Sequence, residues 1–272
     1  MKFAKCESCG NDFIIMYAPP AEYRAPSAAK RICDRNFGIG ADGLAIIDPL
    51  ASGGLRLTLY NSDGTEAMFC PNAMRCVCAY LRAVKGSDSS EYEIECRIGP
   101  RKVRMVEEGE RAGSIRTDIG IGELLFSDRI VNASGFSREI TLVRLGGLHA
   151  VILAENIDAV NVDEMGKAFS FSEVFPEPAN IVFVSVSPTV SVRIYERGIG
   201  ETLSGGASCG AALIVLAKKG LIDTCPCGSE VKLRGGRAYF SVNSRYEVTM
   251  WADANVVFTG DVDISALRGK QI

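Results

Sequence analysis

Two stretches of this chain resemble each other, and a chain that carries one strand–turn–helix unit twice is constrained to fold as two copies of one plan. The first runs from Tyr60 to Gly86 and the second from Tyr195 to Gly220. They overlay without gaps at a constant offset: Tyr60 falls on Tyr195, Glu66 on Glu201, Met68 on Leu203, Val77 on Ala212 and Leu81 on Leu216. Each is preceded by a short apolar strand, Leu55 to Leu59 and Val190 to Ile194, and each closes on lysine and glycine. In that overlay Cys70 falls on Gly205. One half of the repeat carries a thiol where the other carries no side chain.

Composition narrows the classes that such a repeat can serve. The chain has 272 residues, 47% hydrophobic and 23% charged, enough for a full core in one large or two medium domains. A net charge of −3 with scattered Lys and Arg argues against nucleic acid or an anionic membrane surface as partner. No apolar run is long enough to cross a bilayer, and MKFAKCESCGNDF lacks the apolar core of a signal peptide. Ten cysteines without such a signal are expected as reduced thiols in the cytoplasm. Cys6 with Cys9 and Cys225 with Cys227 are spaced too irregularly for a zinc knuckle, so no metal is expected. Gly38, Gly40 and Gly43 match a dinucleotide fingerprint literally. A helix precedes them and a strand follows, the reverse of what that fingerprint needs, so they are expected as a turn.

Along the chain, residues 2–17 read as a strand broken by a turn, 28–36 as a helix capped by Ser27, and 72–84 as the first repeat helix, with Met74, Val77, Leu81 and Val84 at helical spacing. The second half repeats the plan, with a helix at 162–169 and the second repeat helix at 206–218, which carries no charge before Lys218 and is expected to be buried on nearly all sides. The fold class is therefore α+β: two pseudo-symmetric domains, each a curved, mostly antiparallel sheet wrapped around a central helix. The boundaries are set at 1–114 for the Cys70 half, 115–260 for the Gly205 half, and 261–272 for a tail returning to the first half.

Both repeat helices begin at turns of small residues. A helix N-terminus presents N–H groups and the positive end of the dipole, so two such ends can cradle a carboxylate while a thiol at the same place acts as base. The residues that carry chemistry resemble those of the diaminopimelate epimerase family over nearly the whole chain. CGNDF at 9–13, CDRNFGIGADGL at 33–44, NSDGTEAMFCPNAMRC at 61–76 and ERGIGETL at 196–203 carry the resemblance. It implies an active site between the two domains and proton transfer by two thiols without a cofactor. It matches Cys70 to the first catalytic thiol and Asn72 to a residue whose backbone amide meets the α-carboxylate. It matches Asn11, Asn61, Asn180, Glu196 and Arg197 to the groups that hold the non-reacting amino-acid end, and Gly206 and Ala207 to the amides beyond the second thiol.

The chain departs from the family pattern where it matters. Gly205 stands at the second catalytic cysteine, Pro71 and Ala73 replace glycines beside Asn72, and Gly147 replaces an asparagine before His149. Cys209, one helical turn beyond Gly205 and about 6 Å deeper along the axis, is the candidate substitute thiol. Ser204 and Ser208 carry hydroxyls, far weaker bases than a thiolate. His149 is assigned a structural role. The expected function is interconversion of LL- and meso-diaminopimelate, a step toward lysine and peptidoglycan, with turnover impaired at Gly205. The alternatives are a one-base dehydratase, lyase or isomerase on the same fold, and an amino-acid-binding homologue without catalysis. The expected partner is a small amino acid, with a homodimer left open.

Overall fold

The computed structural model describes residues 1–224 and 228–267. Its contacts divide the chain into two compact units: residues 1–117 together with the stretch from Ala252 onward, and Asp118–Trp251.

The first unit opens on a hairpin of β1 (Lys2–Ser8) and β2 (Asn11–Tyr17). Cys9 and Gly10 form its turn with φ of 52° and 78°, the left-handed pair whose twist suits a two-residue hairpin. Then come α1 (Pro26–Cys33), β3 (Gly43–Pro49), β4 (Leu55–Asn61), α2 (Pro71–Ala83), β5 (Glu91–Cys96), β6 (Gly99–Met105) and β7 (Ile115–Ile121), which starts in this unit and runs on into the second at Asp118. The second unit follows with β8 (Glu123–Ala133), β9 (Phe136–Leu145), β10 (Gly147–Leu153), α3 (Val162–Ser170), β11 (Asn180–Ser185), β12 (Ser191–Glu196), β13 (Gly200–Thr202), α4 (Gly206–Lys218), β14 (Ser229–Leu233), β15 (Gly236–Val242) and β16 (Glu247–Ala252). The last strand, β17 (Asn255–Asp261), pairs antiparallel with β1 in the first unit.

The two units use one strand order. In the first, neighbours run β17–β1–β2–β3–β4–β5–β6–β7; in the second, β8–β9–β10–β11–β12–β14–β15–β16. In both, the third and fifth pairings are parallel and the others antiparallel. The expected α+β architecture of two repeated units with mostly antiparallel strands is thus observed.

Burial explains the sequence texture. In β2 the side chains alternate between two cores: Phe13 and Ile15 pack on the α2 side, Ile14 and Met16 on the α1 side. A strand covered on both faces reads as an unbroken apolar run, which is what FIIM is. In the second unit α4 packs against β9, β10, β11, β12 and β15, and Ser208 through Leu216 are all buried, as its uncharged surface predicts.

Several expectations need correction. The first helix starts at Pro26, not beyond Ser27: Pro26 occupies the first helical position, where its missing N–H breaks no bond. The eleven-residue strand β8 has no counterpart in the sequence reading. Its pairing with β9 shifts register twice, and Asp128 takes a φ of 54°, so the period-2 signal is broken along its length. Residues 255–260, assigned to the second half, belong to the first through β17. The following residues stay there: Val262 and Ile264 join the α1 core and Arg31 donates to the Leu267 carbonyl. Gly38 and Gly40 lie in the turn between α1 and β3, with Gly40 at φ 83°, and Gly43 opens β3. Cys225 and Cys227 lie outside the described residues.

Candidate active site

In the first unit the expected residues gather where α2 begins. Asn11 opens β2 and Asn61 ends β4, with β3 between them: Phe13 and Asn61 both register with Gly43. Cys70 is the N-cap of α2, half-buried, with extended backbone. Its thiol donates to Asn11 Oδ1 at 3.8 Å, and Asn72 Nδ2 donates to the same oxygen at 3.2 Å. The other side of the Asn11 amide is fixed as well, Nδ2 donating to Asp42 at 2.6 Å. Pro71 sits at the first helical position, where the lost N–H disrupts nothing in the helix. Asn61 is exposed, its amide donating to Thr65 Oγ1 at 2.9 Å.

Two networks that no sequence motif announced hold this arrangement. Asp12 accepts a two-toothed pair from Arg35 at 3.0 and 2.8 Å and an ion pair from Lys5 at 2.7 Å, and Arg35 reaches on to Asp42 at 2.8 Å. Burial alone would raise the Asp12 carboxyl, but Arg35 and Lys5 hold it down to about 2. Asp42 is therefore anchored as it positions Asn11. Within α2, the fully buried Arg75 donates to Ser8 Oγ at 3.0 Å and to Asn72 Oδ1, so Asn72 is clasped between Arg75 and Asn11. Burial pushes the Arg75 guanidinium down, and the neighbouring Cys9, Cys76 and Cys70 oppose that shift. The thiols of Cys6, Cys33 and Cys78 are pushed up to about 12 by burial and stay protonated packing groups.

In the second unit the corresponding residues gather where α4 begins. Asn180 opens β11 and Glu196 ends β12. Asn180 Oδ1 accepts from the Arg197 N–H at 3.1 Å, while the exposed Arg197 guanidinium donates to the Pro178 carbonyl at 2.7 Å. Gly205 is the N-cap of α4, followed by Gly206 and Ala207. A Cβ built on Gly205 would lie 3.1 Å from Ile194 Cδ1, 3.3 Å from Glu196 Oε1 and 3.3 Å from Ser208 Oγ. Two oxygens thus flank the place of the missing side chain.

Cys209 does not take that place. It is fully buried, its N–H donating to the Gly205 carbonyl within the helix, so it offers no thiol to a ligand. His149 does more than fill space. Its Nε2 lies 3.2 Å from the Leu145 carbonyl and its Nδ1 3.1 Å from Ser208 Oγ. Sequence could not pair two residues 59 positions apart. Gly147 has no atom within 4 Å of an added Cβ. Among the described residues no group of three or more His, Cys, Asp or Glu side chains converges as a metal site would require, and no helix is long and apolar enough to cross a membrane.

A profile of the family described as diaminopimelate epimerase matches residues 3–123 and 141–257. The chain is 32% identical over 280 residues to a diaminopimelate epimerase of Methanococcus maripaludis, covering 97% of this chain and 100% of that one. It is 31% identical over 283 residues to a diaminopimelate epimerase of Acetivibrio thermocellus, covering 98% and 100%. Among solved structures, a Bacillus anthracis phenazine biosynthesis protein of the PhzF family superposes with a TM-score of 0.74 at 14% identity, covering 97% of this chain and 99% of that one. A hydroxyproline epimerase from Agrobacterium vitis superposes with a TM-score of 0.70 at 12% identity, covering 98% and 94%. At such identities these two structures speak for a shared fold alone.

Proposed function

The chain belongs to the diaminopimelate epimerase family, and we propose that it is an isomerase that removes and returns the α-proton of diaminopimelate, interconverting the LL and meso forms without a cofactor. The observation that carries this reading is the seating of Cys70: a thiol at the N-terminus of α2, hydrogen-bonded to an Asn11 whose other amide face is anchored on Asp42. In this reading Cys70 exchanges the proton on one face of the carbon. The first turns of α2 and α4 stabilise the carboxylate as charge develops on it. Asn11, Asn61, Asn72, Asn180, Glu196, Arg197, Gly206 and Ala207 bind the amino acid, Glu196 suiting an ammonium and Arg197 a distal carboxylate.

A one-base isomerase or lyase is the second reading, favoured by Gly205. The test is incubation with LL-diaminopimelate in deuterated water. The expected result is α-deuteration accompanied by inversion. In Cys70→Ala, inversion should fall by on the order of 100-fold or more, the usual loss of a positioned acid–base group. Exchange without inversion, or release of water or ammonia, would replace this reading with the second.

A further inference from the structure

The side-chain amide of an asparagine can face either way, since its oxygen and nitrogen are alike in size and differ in accepting or donating. At Asn11 the choice is made by groups that can do only one of the two. Asp42 carries a carboxylate, ion-paired with Arg35 at 2.8 Å, and a carboxylate only accepts, so the group 2.6 Å from it is Asn11 Nδ2. The Asp12 N–H donates to that same Asp42 oxygen at 3.1 Å. From the other end, the buried Arg75 only donates and takes Asn72 Oδ1 as its acceptor, which turns Asn72 Nδ2 toward Asn11. Both ends therefore leave Asn11 Oδ1 facing Asn72 Nδ2 at 3.2 Å and Cys70 Sγ at 3.8 Å. A thiol has a hydrogen to give that oxygen. A thiolate would meet it lone pair to lone pair.

We propose that Asn11 is a positioning residue that holds Cys70 as the thiol in the resting protein, through an amide whose orientation Asp42 and Arg75 fix from opposite ends. The proposal deepens the epimerase reading above and rests on it for the use to which the thiol is put. A thiol is the form that gives a proton, so Cys70 enters the cycle as donor rather than as base. The role sits beside the binding role of Asn11: both lone pairs of Oδ1 are engaged, and the second Nδ2 hydrogen remains for an oxygen of the amino acid.

Other groups bear on Cys70 as well. The Cys76 thiol, on the same helix, is fully buried and pushed well up, so it carries no charge. The Arg75 guanidinium is charged and favours a thiolate at Cys70, as does the N-terminus of α2. Asp42, on the far side of the Asn11 amide, adds a negative charge that favours the thiol. Asn11 thus works against the helix and Arg75, and its own share is what a substitution at position 11 reads.

The test is the pH dependence of Cys70 alkylation by iodoacetamide in the full chain, with mass spectrometry of the fragmented peptide separating Cys70 from Cys76 and Cys78. Two variants are compared with wild type after circular dichroism confirms that they fold. Asn11→Leu removes the acceptor and should lower the alkylation midpoint by about one pH unit, so that Cys70 reacts about tenfold faster at pH 7. Asn11→Asp keeps an oxygen toward the thiol, can share a proton with Asp42, and should raise the midpoint. A midpoint that stays or rises in Asn11→Leu would overturn the proposal, because burial against an apolar side chain alone has that effect. Shifts of the two variants in the same direction would overturn it as well, since that is what a general loosening of the site produces. Where Asn11→Leu does not fold, Asn11→Ala reads the same loss of the acceptor. Alkylation needs no turnover, so the two readings fail separately. Opposed shifts in a chain that neither exchanges nor inverts diaminopimelate would retire the epimerase reading and leave the hold of Asn11 on Cys70 standing. Inversion without opposed shifts would retire the proposal alone.

Discussion

At the scale of the residue, Gly205 is a glycine that its backbone does not require. Its φ of −156° and ψ of 103° are ordinary extended values open to any residue. The atoms that a Cβ would meet, at 3.1 to 3.3 Å, are the tips of Ile194, Glu196 and Ser208, which can each give by a few tenths of an ångström. Gly205→Cys should therefore fold, with stability changed by no more than about 1–2 kcal/mol on denaturant titration. It should raise the inversion rate by roughly tenfold or more, because a thiol is the better base. Unchanged inversion in a folded Gly205→Cys protein would move the limitation to Pro71 or Gly147. At this scale the sequence was informative about identity and silent about pairing. The asymmetry of Cys70 and Gly205 could be read from an overlay of the two stretches. The bond from Ser208 to His149 could not, nor could the clasp of Asn72 between Arg75 and Asn11. Each depends on a strand and a helix that meet only after folding.

At the scale of the element, the strongly patterned segments were legible and the irregular ones were not. Helix α4 matches its expected span of 206–218 because an uncharged run ending in Lys and Gly has one good solution, a buried helix. Strand β8 escaped because two register shifts break the alternation that marks a strand. Helix α3 shows how tightly an element can be fitted: a Cβ on Gly166 would lie 2.1 to 2.4 Å from the Tyr195 side chain of β12. Gly166→Ala should force that ring or the helix to move, destabilising the protein by about 1–3 kcal/mol in chemical unfolding. A neutral effect would mean that α3 is free to slide over β12. The adjoining end of β12 carries Glu196, so the same substitution should also weaken amino-acid binding if the helix holds that strand end in place.

At the scale of the whole molecule, the first unit is assembled from both ends of the described chain. β17 pairs with β1 from Lys2↔Asp261 to Glu7↔Asn255, and Val262 and Ile264 complete the core under α1. Sequence reading assigned 255–260 to the neighbouring half because hydrophobic pattern reports which residues are strands and not which strands pair. Ending the chain after Trp251 should expose the β1 edge and open that core, costing more than about 3 kcal/mol. Hydrogen exchange should speed in β1 and β2 and stay slow in β10 and β11 of the second unit. Equal acceleration in both units would show that they unfold as one.

The return of β17 also sets an order of events at the ribosome. Residues 118–251 form a unit continuous in sequence, whose strands can all pair once Trp251 has left the exit tunnel. Residues 1–117 are made earlier, yet their sheet waits for a partner strand synthesised after the entire second unit. The half that carries Cys70 is the first to be translated and the last to close. Until then its β1 edge lies open to other chains or to a chaperone.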